Sequence, residues 1–204
     1  MSVKFIKRCM ILFISMITVS CASNPINIGT SETIPNQLIP VADNRPDAEC
    51  ETRSPKIGGA SYYPGDDKFQ PNIIESLQIA LTKKIGSMAP KPEISIEHSQ
   101  VLNFFGKHGN DARRQLTGTF LPGGIVKDWL EEERFENSNF VSCEIMGKVN
   151  GEPFTATYAE PYDVKSLAYL VVYKGPDANK ATETVVKKCV EITAEKISAT
   201  LTQH

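Results

Sequence analysis

Few side chains in this 204-residue chain are of a type and spacing that could do chemistry. Three thiols, Cys50, Cys143 and Cys189, are spread along it, and two more, Cys9 and Cys21, fall within and at the end of an apolar leader. A thiol becomes a nucleophile or a metal ligand where positive surroundings lower its pKa and leave it accessible. Cys143 alternates with Val141 and Ile145, and Cys189 lies on a helical apolar stripe, so both are expected to face the core. Cys50 sits in the polar run Asp47-Ala48-Glu49-Cys50-Glu51 and is the expected disulfide partner of either. The thiol left over packs as a small hydrophobe, or stays reactive if exposed.

Asp43 and Arg45 form a second candidate, a carboxylate and a guanidinium two positions apart that could grip a ligand or a partner. The same pair also serves a simple turn, with Asp43 and Asn44 bonding nearby backbone and Arg45 paired locally. Asp128, Glu131, Glu132, Glu133 and Glu136 gather the carboxylates that acid–base catalysis uses, but consecutive positions on a helix point apart, which describes a solvated face. His98, His108 and His204 lack metal-ligand spacing. Gly58-Gly59 lacks the Lys-Ser/Thr and the helix of a phosphate loop. No catalytic residue, metal or cofactor is therefore expected, and the chain is read as not an enzyme. The candidate partner-binding residues are Arg45, the aromatic pair Tyr62 and Tyr63, and the single tryptophan, Trp129.

The elements that must position these residues follow from periodicity. Leu38–Ala42 reads as a short strand and Tyr62–Gly65 as an edge strand with a turn. Asn72–Met88 reads as a helix capped by Asn72, with Ile73, Leu77, Ala80, Leu81 and Ile85 on one stripe. Glu93–His98 alternates as a strand and runs on to Phe104-Phe105. An irregular insertion at about 106–139, with a helix over Ile125–Phe135, offers the place for a partner. Phe140–Val149 and Glu152–Glu160 flank Asn150-Gly151, a two-residue hairpin signal. Leu167–Tyr173 is undecided between strand and helix, and Ala178–Leu201 is a helix with Val185, Val186, Cys189, Ile192, Ile197 and Leu201 inward. Two helices with one apolar stripe each, and a small, mostly antiparallel sheet with one apolar face, bury each other as an α+β two-layer sandwich.

The leader carries the strongest signal. Lys4, Lys7 and Arg8 precede an apolar run, Met10–Val19, too short to span a bilayer, and the run closes on Thr18-Val19-Ser20-Cys21. This resembles the lipobox of bacterial lipoproteins, with Thr18 where Leu is commonest. The resemblance implies a signal peptide at 1–20, acyl chains (a diacylglycerol and a further chain such as palmitate) on Cys21, and stable membrane anchoring, since two or more chains suffice. Ala22 and Ser23 follow the cysteine instead of Asp, which implies the outer membrane, facing the periplasm. Residues 21–37 are polar and read as a flexible tether, followed by one domain over 38–204. The strand Val41-x-Asp43-x-Arg45 resembles small YajG-type periplasm-facing lipoproteins and implies the same sandwich fold.

Charge narrows the partners. The whole chain carries −2, and losing Lys4, Lys7 and Arg8 makes the remainder more acidic, so nucleic acid is not expected. Such a chain is expected to be a lipid-anchored, non-catalytic cell-envelope protein that binds another envelope component, as an accessory of a transport or assembly machine. The alternative is a carrier or sensor of an apolar envelope molecule held between sheet and helices, which needs a pocket.

Overall fold

Where apolar residues alternate or recur by fours in this chain, the backbone follows. The computed structural model describes residues 25–29, 37–53, 61–105, 139–163 and 176–202. In order these form β1 (Ile26–Asn27), β2 (Ala42–Asp43), α1 (Asp47–Cys50), β3 (Ser61–Tyr62), a 3-10 turn (Asp66–Lys68), β4 (Phe69–Gln70), α2 (Ile73–Ile85), β5 (Ile94–Phe105), β6 (Asn139–Val149), β7 (Glu152–Tyr162) and α3 (Pro176–Thr202). Cys21, Trp129 and the run Leu167–Tyr173 lie outside the described residues, as does the expected insertion up to Asn139, which opens β6.

The fold is α+β, with the two long helices packed together on a largely antiparallel sheet. Its strand order is β2-β5-β6-β7, with β3 paired to the far end of β5. The β2–β5 pair is parallel, Ala42 opposite Ser95, and the others are antiparallel. The β6–β7 turn has the positive φ that a tight hairpin demands, 49° at Asn150 and 88° at Gly151. Asn150 also ties the hairpin to the start of β5, its N–H donating to Glu93 O and its side-chain oxygen accepting from Glu93 N. Helix α2 begins where Asn72 Oδ1 accepts from Glu75 N at 2.8 Å, an N-cap that satisfies an otherwise orphaned donor.

The core lies between helices and sheet. Leu77, Leu81 and Ile85 of α2 meet Ile96, Val101, Cys143 and Ile145 of the sheet and Val185, Val186, Cys189 and Ile197 of α3. Between Ile96 and His98 the register slips, which reverses the alternation of β5. Ile94 and Ile96 face the helices before the bulge, and Ser99, Val101 and Asn103 after it. His98 is thereby turned to the opposite face with Leu102, Phe104, Phe140, Ser142 and Glu144, all buried. The sheet thus has two buried faces where one apolar face is expected from the alternation alone, and the Phe104 and Phe140 rings pack there at 5.1 Å.

Within the stretch expected to be a flexible tether, Pro25–Gly29 is ordered. Ile26 and Ile28 alternate as a strand, β1 pairs in parallel with β4, and Ile28 is buried in the core. From Pro25 to Gly29 the chain is therefore part of the folded domain. Leu38–Val41 runs into β2 without strand pairing of its own among the described residues, held where Ile39 N donates to Thr82 Oγ1 of α2.

Candidate functional site

Arg45 follows β2 with a side chain only 1 % exposed. Its Nε and Nη2 donate to the two oxygens of Asp43 at 2.8 and 2.7 Å, and Nη1 and Nη2 donate to those of Asp66 at 3.3 and 2.7 Å. Asp66 is delivered by the 65–68 turn, whose Gly65 N–H donates to Thr52 Oγ1 while the Thr52 hydroxyl donates to Asp67. A Cβ at Gly65 would strike the backbone of Cys50 to Thr52, so only glycine lets this turn lie against that segment. The Arg45 hydrogen bonds hold the Asp43 carboxyl below its ordinary pKa. Burial disfavours the guanidinium charge, but Asp43 and Asp66 outweigh it and Arg45 is more basic than usual.

Cys50 Sγ, Asp43 and Asp66 approach one another within 4.8 Å, a set that could in principle hold a cation. Here the guanidinium already occupies both carboxylates, and a metal would have to displace a buried cation. The Cys50 thiol is pushed up, by burial first, which leaves it protonated at neutral pH and poorly suited to nucleophilic work. Arg45 is thus clamped inside the fold, while Asp43, itself partly exposed, has both carboxylate oxygens engaged by it.

The aromatic candidates are likewise engaged. Tyr62 is buried in β3. Tyr63 is half-buried, bridged backbone to backbone with Arg53, whose guanidinium lies 4.6 Å over its ring. The structure places Cys143 of β6 and Cys189 of α3 in the same core cluster, both fully buried. Burial and the neighbouring thiol raise the Cys189 pKa well above normal. Cys50 keeps other company, its charged neighbours being Arg45, Asp66, Asp43 and Asp47. All three are thiols in this structure.

On the second sheet face His98 lies between two carboxylates. Its Nδ1 is 2.7 Å from Glu49 Oε1 of α1, and Glu49 Oε2 accepts from Ser99 N. Its Nε2 is 3.6 Å from Glu144 Oε2, too long for a hydrogen bond but close enough for charge to act. Burial lowers the tendency of His98 to protonate, while Glu144 and Glu49 raise it by more, so its pKa lies above 6.5. A histidine more basic when folded adds stability that is complete below the unfolded pKa, about 6.5, and is lost as pH rises through the folded value. Denaturant midpoints of the wild type are therefore expected to fall between pH 5.5 and pH 8.5. A His98→Gln variant should lose most of that slope, and an unchanged slope would refute this role.

A concavity of about 760 Å³ lies elsewhere, between α2, α3, β7 and the residues that follow β1. Ile28, Ile79, Ala80, Val190 and the Tyr158 ring supply apolar lining. Lys83 and Lys84 stand on one helical wall, Lys187 and Lys188 on the other. Three of these lysines reach glutamates of α3: Lys84 to Glu195 at 3.4 Å, Lys187 to Glu183 and Lys188 to Glu191 at 2.7 Å. Such exposed pairs are worth little and exchange readily with other anions. Among the lining residues Ser76 is 6 % exposed, and its Oγ has no hydrogen-bond partner among the described residues.

Comparison with protein families, with curated proteins and with solved structures found no match. Sequence reasoning missed the groove. Lys83-Lys84 alone do not make a basic face, and only the packing of α3 beside α2 adds Lys187-Lys188. The two Lys-Lys pairs, each on an amphipathic helix, were the available signal.

Proposed function

We propose that the protein is a lipid-anchored, non-catalytic component of the bacterial cell envelope, held by acyl chains on Cys21 at the periplasmic face of the outer membrane, and that its domain binds another envelope component. The observation that carries this reading is the basic, short apolar leader ending in Thr18-Val19-Ser20-Cys21. The docking of Pro25–Gly29 supports it by making the domain follow the anchor almost at once, which holds it near the bilayer. The non-catalytic part draws support from the engagement of Asp43, Arg45 and His98 in internal contacts. In cells expressing the anchored protein, cross-linking is expected to enrich one envelope partner reproducibly over a Cys21→Ala control. Repeated absence of any specific adduct would count against the reading. A second reading, a carrier or sensor of an apolar envelope molecule, is favoured by the apolar lining of the α2–α3 groove.

A further inference from the structure

We infer that the α2–α3 groove is a membrane-docking site that seats one anionic phospholipid of the bilayer to which Cys21 is anchored. This rests on the anchoring reading and adds a lipid partner and an orientation to it.

Three observations converge on that occupant. The floor is apolar, formed by Ile28, Ile79, Ala80 and Val190, as an acyl chain requires. The walls carry Lys83, Lys84, Lys187 and Lys188, and juxtamembrane lysines favour anionic leaflets. Two acids, Glu160 and Glu191, also line the groove, so its lining sets four lysines against two glutamates, and an anionic head group would compete with the exposed Lys84–Glu195, Lys187–Glu183 and Lys188–Glu191 pairs. Ser76 brings a buried hydroxyl without a hydrogen-bond partner among the described residues, which an ester or phosphate oxygen would satisfy once the side chain turns toward the groove.

Position completes the argument. Ile28 and Gly29 line the groove, and the chain from Cys21 to Ile28 can reach at most about 25 Å. The groove therefore lies within one tether length of the acyl anchor. An anionic lipid is favoured over an acidic peptide because the anchor brings lipid to the groove at high effective concentration without another partner.

The test uses the native acylated protein reconstituted into vesicles of pure phosphatidylcholine or of phosphatidylcholine with phosphatidylglycerol, with lysine acetylation rates read by mass spectrometry. Docking predicts that Lys83, Lys84, Lys187 and Lys188 react at least fivefold more slowly with phosphatidylglycerol present, that high salt abolishes the difference, and that Lys68 and Lys148 are unaffected. A K84E/K187E/K188E variant should lose the protection at Lys83. Equal rates in the two vesicles, or equal protection in both, would overturn the proposal. Flotation separates the two readings. Protein that floats with both vesicles but shows no selective protection is anchored without docking. Protein found unacylated that floats only with phosphatidylglycerol, and whose variant binds about a hundredfold more weakly, docks without an anchor. Selective protection by an added acidic peptide on neutral vesicles would assign the groove to protein and refute the lipid.

Discussion

Replacing Arg45 with alanine is expected to destabilise the domain by about 3 kcal/mol, the lower end of the range for breaking a buried ion pair. The side chain is almost wholly enclosed, and its removal leaves Asp43 and Asp66 facing each other without the cation between them. Partial exposure of the two carboxylates, 40 % and 23 %, admits water and keeps the loss at that lower end. Lysine should not restore it, because an ammonium cannot make the fork of bonds to both acids. The clamp also has a pH signature. Asp43 has a folded pKa below its ordinary 3.8, so its contribution is complete above that pH and is lost as pH falls through the lowered value. Arg45→Ala should lose that acid sensitivity. Chemical denaturation of both proteins at pH 3 and pH 7 checks it, and a loss under about 1 kcal/mol at neutral pH would contradict the clamp.

Exported into an oxidising compartment, the protein is expected to carry a Cys143–Cys189 disulfide with Cys50 as the free thiol. The two residues share the buried core, one on β6 and one on α3, and Cys143 is among the neighbours that raise the Cys189 pKa, so a bond between them would fasten the long C-terminal helix to the sheet. Both thiols lose their protons and the pair gives two electrons to a disulfide oxidant by thiol–disulfide exchange. Closing the long loop between these cysteines is worth about 4 kcal/mol in the chain-entropy description. Full burial raises the Cys189 pKa and slows exchange in the folded state, so the bond forms chiefly during folding. Alkylation under denaturing conditions, followed by peptide mass analysis of exported protein, should label Cys50 and leave Cys143 and Cys189 as a linked pair. Labelling of all three, or a bridge including Cys50, would refute the pairing. A Cys143→Ala variant should have the unfolding free energy of the reduced wild type, within about 1 kcal/mol.

Much of the fold was legible because local rules and tertiary packing agree. Asn72 caps its helix, Asn150-Gly151 turns its hairpin, and Val185, Val186, Cys189 and Ile197 point inward from α3. What escaped depends on distant residues. Asp43 and Arg45 were visible as a pair, but the second carboxylate, Asp66, reaches Arg45 only through the turn built on Gly65 and Thr52. His98 changes faces because of a one-residue register slip that no alternation in β5 announces. Tyr62 has an aromatic side chain in a Gly- and Pro-rich stretch, which suggests a contact surface, yet its pairing with Asn103 of β5 draws it inside. Ile26 and Ile28 are too few to mark a strand until β4 offers them a partner. The groove, likewise, belongs to neither helix by itself.

The central claim is that Cys21 is an acylated anchor. It is tested most directly by the intact mass and membrane fractionation of the protein produced in a lipoprotein-processing bacterium, beside a Cys21→Ala variant. The account predicts a mature mass that begins at Cys21 and includes its acyl chains, in the membrane fraction, with anchored mature protein missing from the variant. An unmodified, freely soluble wild type would contradict it, returning Cys21 to the pool of thiols available for pairing and removing the tether on which the lipid-docking proposal rests.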